Sequence, residues 1–130
     1  MSTGYRYRYF RGGKDAAMAR IRDLLVREPH VLLAVIFGSF VELESYRDID
    51  IAIYSLKRDL DYYLGLGARL ELELGIPIDI VPIDEVPPRF RFEILRRGVV
   101  VVEKIPGLYE ALLSQAVDEL ELMELLARAG

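Results

Sequence analysis

The sequence predicts an α/β (α+β) protein with a small mixed β-sheet of about four strands and helices packed on it. Three observations predict this class. The run Val31–Phe37 is continuously apolar, as in a strand that is buried on both faces. Further strand-like runs follow at 48–54, 76–83 and 99–102. Segments with apolar residues at helical spacing lie between and around these runs.

Composition limits the class of protein. At 130 residues, 52% of them apolar and 29% charged, we expect one folded domain over residues 1–130. The absence of cysteine excludes disulfide and thiol chemistry. A net charge of −4 argues against bulk nucleic-acid binding. Because no signal peptide and no membrane-length apolar run is found, we expect a cytoplasmic protein without membrane contact.

The first half of the chain predicts one helix before the first long strand. Residues 5–9 alternate tyrosine with arginine. The segment 1–13 is either an edge strand or tail packed on the domain, or an aromatic and basic arm for a nucleotide, nucleic acid or partner. Lys14–Arg27 then has helical periodicity. Its core stripe is expected to be Ala17, Ile21, Leu24 and Leu25.

A second helix is predicted between Asp59, a suitable N-cap, and Gly75, a suitable stop. The expected core stripe is Leu60, Tyr63, Leu64, Gly67, Leu70 and Leu74. Gly65 and Gly67 weaken such a helix and are expected to permit a close approach to the sheet.

The last part of the chain predicts a short helix, an edge strand and a long helix. The helix at 89–97 contains four arginines, which form either a solvated face or a basic surface for a triphosphate or acceptor. The valine run 99–102 is expected at the sheet edge. The long helix runs from about residue 106 to 129, and its expected core stripe is Tyr109, Leu112, Leu113, Ala116, Leu120, Met123 and Ala127. The additional Leu122, Leu125 and Leu126 indicate either more core or a partner interface.

Candidate site residues lie where the first two long strands meet. Gly38-Ser39 ends the first strand, where the chain can turn and expose backbone N–H groups. Asp48 and Asp50 open the second strand and share one face, about 6.6 Å apart along the chain. Such carboxylates can hold one Mg²⁺ or a pair. Both features come together only if the two strands are antiparallel neighbours.

A third carboxylate, Asp79, lies on the apolar strand 76–83. A charge on so apolar a strand requires a partner. That partner is either one of the many arginines or a metal ion shared with Asp48 and Asp50.

The pattern Phe37-Gly38-Ser39 followed by Asp48-Ile49-Asp50-Ile51 resembles the signature of the DNA polymerase β-like nucleotidyltransferase superfamily. The short chain is similar in size to the prokaryotic minimal nucleotidyltransferase (MNT) group. Asp79 matches the position of the family's third carboxylate. The resemblance covers about residues 31–83 and implies a nucleotidyltransferase fold with its catalytic core there.

The resemblance also implies an activity. A nucleoside monophosphate, with AMP and hence ATP favoured, would move from a nucleoside triphosphate to a hydroxyl acceptor. Asp48, Asp50 and Asp79 would be the catalytic residues and ligands of two Mg²⁺ ions. Gly38 and Ser39 would bind the phosphates, and Arg47 is a further candidate for phosphate contact. The implied partner is a small helical HEPN-type toxin, with one of its tyrosines as the acceptor; a homo-oligomer also stays open.

Two other hypotheses belong to different classes. Val41-Glu42-Leu43 stands where the family commonly has Arg-Gly, and Arg47 stands where serine is frequent. These differences favour a nucleotide-binding antitoxin or interaction module with little catalysis. A purely structural α/β protein, in which the three aspartates are ion-paired, would bind nucleotides without dependence on Mg²⁺.

Overall fold

A computed structural model describes residues 9–130 and contains, within that range, five helices and six strands. The helices are α1 (Lys14–Val26), α2 (Ser39–Glu42), α3 (Leu60–Leu74), α4 (Pro88–Arg97) and α5 (Leu108–Ala129). The strands are β1 (Phe10–Arg11), β2 (Val31–Phe37), β3 (Ser45–Tyr46), β4 (Ile49–Ser55), β5 (Ile78–Pro82) and β6 (Val99–Glu103). None of these helices is both long and apolar enough to cross a membrane.

A mixed four-stranded sheet in the order β5–β4–β2–β6 organises the fold. Strand β2 pairs antiparallel with β4 and with β6, whereas β4 and β5 are parallel. Helix α3 provides the crossover that a parallel pair requires. The predicted fold class, strand number and edge position of the valine strand are therefore confirmed.

The two central strands are buried on both faces because helices cover both. Helices α1 and α3 pack on one face, which contains Ala34, Ile36, Ile49, Ile51 and Ile53 of the sheet. The other face contains Leu33, Val35 and Ala52 and contacts α4 and α5. The continuous apolar run of β2 thus has the burial expected for a strand between two helical layers.

Helix α3 begins and ends as predicted, and its predicted core stripe is confirmed at Tyr63, Gly67 and Leu70 but not at Leu60 and Leu64. The Asp59 side chain accepts a hydrogen bond from the Tyr62 N–H, and Gly75 ends the helix in the left-handed region. The buried residues are Tyr63, Leu66, Gly67 and Leu70. Leu60 and Leu64 of the predicted stripe are exposed, because periodicity determines the spacing of an apolar stripe but not which of its edges faces the sheet.

The two glycines of α3 differ in their surroundings. A Cβ built on Gly67 would lie 3.4 Å from Ile80 Cγ1, so the helix does approach β5 closely there. A Cβ on Gly65 would meet nothing within 4 Å. The expected close approach is therefore confirmed at Gly67 and wrong at Gly65.

The segment after Gly38 is more ordered than the polar connector that the sequence predicts. It contains α2 and β3, and β3 pairs with β1 in a separate two-stranded sheet. Phe40 and Tyr46 are buried with their ring centroids 4.6 Å apart, and Phe10 stacks on Tyr46. Of the predicted tyrosine and arginine arm, residues 5–8 lie outside the described residues; residues 10–11 form the edge strand that was one of its two interpretations.

Helix α4 does not expose all of its arginines. Arg91 is buried and forms an ion pair with Glu119, and it donates to the carbonyls of Ile83 and Val86 at 3.1 and 2.9 Å. Both interpretations of the arginine-rich helix are therefore wrong for Arg91. A guanidinium can be buried here because several acceptors satisfy its fixed donors.

Only the first half of α5 belongs to the core. Within the predicted stripe, Leu112 and Ala116 are buried, whereas Met123 and Ala127 are exposed, so the prediction is wrong beyond Leu120. Helix α4 has 10 residues and α5 has 22. At about 1.5 Å per residue, α5 is about 18 Å longer, and its C-terminal half extends past its packing partner. All of residues 121–130 are exposed, including the three additional leucines.

Candidate active site

The register of the sheet places an aromatic ring and two carboxylates in one row. Phe37 at the end of β2 is paired with Asp50 on β4, and Asp50 is paired with Asp79 on β5. Paired residues on adjacent strands are about 4.8 Å apart and point to the same face. Asp48 lies one residue before β4, which begins at Ile49 rather than at the predicted Asp48, and its charge acts on Asp50. The expected antiparallel pairing, and the expected position of Asp79 beside Asp50, are both present.

These carboxylates influence one another electrostatically. Burial, together with the negative charges of Asp48 and Asp79, raises the pKa of the Asp50 carboxyl to about 6. Within residues 9–130, none of the three forms an ion pair with an arginine, a lysine or the histidine. The ion-pair hypothesis for Asp79 is therefore not supported by the described part of the chain.

The donor set has the chemistry of a site for a hard divalent cation. Asp50 and Asp79 are neighbours on one sheet face, and Asp48 lies just before β4. None of the three is ion-paired within the described residues, and Asp79 is exposed to solvent. In the described range, no group of three or more His, Cys, Asp or Glu side chains is already close enough to hold a metal ion. Like charges repel one another until a cation neutralises them, so side-chain rotation would have to complete the ligand set. The residues present fit Mg²⁺ in kind and in position along the sheet.

The backbone of Gly38 lies close to the Asp50 carboxylate. Its φ of 80° and ψ of −155° lie in a region that is essentially restricted to glycine. A Cβ at Gly38 would lie 2.5 Å from Oδ2 of Asp50. The glycine is therefore required both for the turn and for the close approach of the turn to the carboxylate.

Helix α2 begins directly after this turn, at Ser39. The Gly38 carbonyl accepts from the N–H groups of Val41 and Glu42 at 3.0 and 3.1 Å. The first N–H groups of a helix have no partner within it, so those of Ser39 and Phe40 are available at this end. Arg47, the other predicted binding residue, is exposed immediately before Asp48, with its guanidinium 5.9 Å from the centroid of the Tyr9 ring.

A cleft of about 450 Å³ opens beside Gly38, between α2 and α4. Phe37 and Phe90 meet in it edge to face, with ring centroids 5.8 Å apart and planes at 79°. Arg97 lies at its rim and pairs with Glu93 at 3.1 Å and with Glu42 at 3.4 Å.

The sequence analysis missed Phe90 as a site residue. Its only local signal is an aromatic residue after two prolines in an arginine-rich helix. Its position near Gly38 depends on Gly98, where a Cβ would lie 2.4 Å from Val35 Cγ1 and 2.9 Å from the Ile36 carbonyl oxygen. Only a glycine allows the chain leaving α4 to pass so close to β2.

The chain matches the family model described as polymerase beta, nucleotidyltransferase, over residues 19–106. This range includes every candidate site residue. No curated protein sequence matches the chain.

Solved structures share the fold. A chain from the complex of tri-AMPylated Shewanella oneidensis HEPN toxin with MNT antitoxin has a TM-score of 0.72 at 19% identity, covering 89% of this chain and 93% of that one. The MntA–HepT toxin–antitoxin structure has a TM-score of 0.71 at 18% sequence identity, and the match covers 88% of this chain and 93% of that one. A toxin–antitoxin structure with AMP-PNP has a TM-score of 0.70 at 16% sequence identity, and the match covers 91% of this chain and 94% of that one. At these identities the similarity establishes the shared architecture.

Proposed function

This chain belongs to the polymerase β nucleotidyltransferase family, and from that premise we propose that it transfers AMP from ATP to a hydroxyl group. A new bond forms between the acceptor oxygen and the α-phosphorus, and the bond from that phosphorus to the bridging oxygen breaks, releasing pyrophosphate. The observation that supports this most is the pairing of Asp50 with Asp79, with the charge of Asp48 acting on Asp50 and no cation paired to any of them within the described residues.

The three aspartates would have distinct roles. Asp48 and Asp50 would hold two Mg²⁺ ions, and Asp79 would be a further ligand. When bound, Mg²⁺ would lower the cost of ionising the acceptor and offset the charge of the leaving pyrophosphate. Asp79 is the exposed member of the row, so its carboxylate can accept the proton that the acceptor hydroxyl loses.

The turn at Gly38 is proposed to hold the phosphates. The N–H groups of Ser39 and Phe40 are unused within α2 and would donate to phosphate oxygens. Arg47 has no carboxylate partner in the described chain and would add a positive charge next to Asp48. Its guanidinium would have to leave the face of the Tyr9 ring to reach a phosphate.

The acceptor is proposed to be a tyrosine of a small helical HEPN-type partner. The similar solved structures include a tri-AMPylated HEPN toxin with its MNT antitoxin, and this chain would be the antitoxin of such a pair. The exposed C-terminal half of α5, with Leu122, Leu125 and Leu126, offers an unpaired apolar surface for such a protein. Pairing of two copies of this chain through the same surface is the alternative, and the native mass with and without the partner separates the two.

Transfer of label from α-labelled ATP tests the activity. The protein is incubated with Mg²⁺, with and without a co-purified partner, and labelled protein is separated on a gel. We expect transfer that Asp48→Asn, Asp50→Asn and Asp79→Asn each abolish. Asp118→Asn, which makes the same chemical change on the exposed side of α5, is the matched control and should retain full transfer. Unchanged transfer by Asp50→Asn would refute the proposal.

A second function, nucleotide binding with little catalysis, is favoured by one observation. Glu42 places a carboxylate beside the Gly38 turn, and Arg97 is engaged by Glu42 and Glu93, so no free cation of this cleft faces the phosphates. This hypothesis predicts Mg²⁺-dependent ATP binding by calorimetry without release of pyrophosphate, even when the partner is present. Pyrophosphate release in step with labelling would exclude it.

A further inference from the structure

The cleft between α2 and α4 continues the row of site residues on the side away from Asp79. Phe37 and Asp50 are register partners on adjacent strands, so they share a face and lie about 4.8 Å apart. Phe90 contacts Phe37 edge to face, with ring centroids 5.8 Å apart. Contacts therefore link Phe90 to Phe37, and register pairs link Phe37 to Asp50 and Asp50 to Asp79.

The charge of the cleft disfavours phosphate groups at the end where Glu42 and Glu93 lie. Two carboxylates, Glu42 and Glu93, line it together with one guanidinium. Arg97 pairs with both of them, at 3.4 and 3.1 Å, so it adds no uncompensated positive charge. A polyphosphate would meet net negative charge there, whereas an uncharged aromatic group would not.

Phe90 presents an aromatic surface that the fold does not cover. Phe90 is 44% exposed. Its contact with Phe37 holds one part of the ring against the sheet. A volume of about 450 Å³ lies in the range of small-molecule sites, about 300–1,000 Å³. A planar ring entering this cleft would be buried against Phe90 and Phe37.

We propose that the base of the nucleotide stacks on Phe90 in this cleft, with the sugar over Phe37 and the phosphates extending toward Gly38 and Asp50. This inference rests on the proposed nucleotide transfer and adds the position of the base to it. Stacking on an aromatic side chain tolerates any base, since every base has a π face. Arg97 and the two glutamates at the rim present both a donor and acceptors to the edge of the base.

Binding of ATP compared with binding of inorganic tripolyphosphate tests the position of the base. Both ligands are titrated by calorimetry with Mg²⁺ into the full chain and into Phe90→Ala, Phe90→Leu and Phe90→Tyr. Tripolyphosphate has the charges of the nucleotide without its base, so it separates stacking from phosphate binding. Leu72→Ala on α3, a truncation of a residue that is 86% exposed, is the control.

We expect Phe90→Ala and Phe90→Leu to weaken ATP binding about tenfold and to leave tripolyphosphate binding unchanged. Phe90→Tyr and the Leu72→Ala control should bind both ligands as the parent protein does. Because Phe90→Leu keeps an apolar side chain of similar volume, its loss of ATP affinity would not reflect misfolding. Far-UV circular dichroism checks that each variant is folded.

Two results would overturn the proposal while nucleotide transfer stands: unchanged ATP affinity in Phe90→Ala, or an equal loss for ATP and tripolyphosphate. If the parent protein bound neither ligand, both this proposal and the proposed transfer would be refuted. The position of the base and the activity therefore fail in distinguishable ways.

Discussion

Replacing Asp50 with asparagine should make the metal-free protein more stable while it abolishes transfer. The side chain is half-buried between Asp48 and Asp79, and its pKa is raised from 3.8 to about 6. In the folded protein its ionised form is therefore disfavoured. Asparagine has nearly the same shape and carries no charge. The variant therefore avoids the free-energy cost of holding a charged carboxylate at this site.

The size of this stability difference follows from the linkage between proton binding and folding. The difference between a pKa of 3.8 in the unfolded chain and about 6 in the folded protein corresponds to about 3 kcal/mol for a fully buried group. Because Asp50 is partly exposed, solvent screening reduces this to about 1–2 kcal/mol. A raised carboxyl pKa means that the folded state binds the proton more tightly. The cost is thus absent below pH 4, grows between pH 4 and 6, and is complete above pH 6.

Urea denaturation in EDTA at pH 4 and pH 8 measures this difference. We expect Asp50→Asn to exceed the parent protein in free energy of unfolding by about 1–2 kcal/mol at pH 8 and to equal it at pH 4. Asp118→Asn, at an exposed site, should show no such pH-dependent gain. Mg²⁺ at ten times its dissociation constant should then stabilise the parent and Asp118→Asn by about 1.4 kcal/mol, but not Asp50→Asn. Equal stability of the two proteins at pH 8 would refute the reasoning.

Two further substitutions test the geometry of the turn and the buried arginine. Gly38→Ala should lose label transfer and about 1–3 kcal/mol of stability, because its backbone conformation favours glycine and its Cβ would displace Asp50; full transfer would contradict the assigned contact. Arg91→Ala should lower the free energy of unfolding in urea by about 2–3 kcal/mol, because it leaves Glu119 and two carbonyl groups without their donor. A loss below about 1 kcal/mol would show that water replaces those contacts.

Features that depend on neighbouring residues in the chain were predictable. The apolar run at 31–37 is buried on both faces in the structure, as its composition predicts. Asp59 and Gly75 cap α3 because capping uses groups within a few residues of the helix end. The start of β4 was predicted to within one residue, since the strand begins at Ile49 and leaves Asp48 just before it.

The burial of a helix face depends on elements that are distant in the chain, so it was not predictable from local spacing. Helical spacing identified apolar stripes on α3 and α5, but Leu64 and Met123 are exposed. The packing partner of α5 is shorter than α5, and α3 faces the sheet with Tyr63, Leu66, Gly67 and Leu70 instead. Arg91 shows the opposite case, since a charged residue is buried where carbonyls and Glu119 converge on it from other elements.

The sequence by itself determined the four strands of the main sheet, the glycine turn, the two neighbouring aspartates and, through the motif they form, the family. Only the tertiary structure decided that Phe37, Asp50 and Asp79 lie in one row and that Phe90 contacts Phe37. This arrangement depends on an antiparallel pairing, a parallel pairing and a close passage at Gly98, each of which joins residues distant in the chain. Local periodicity contains no information about register between such segments, because register is set by the packing of the whole sheet.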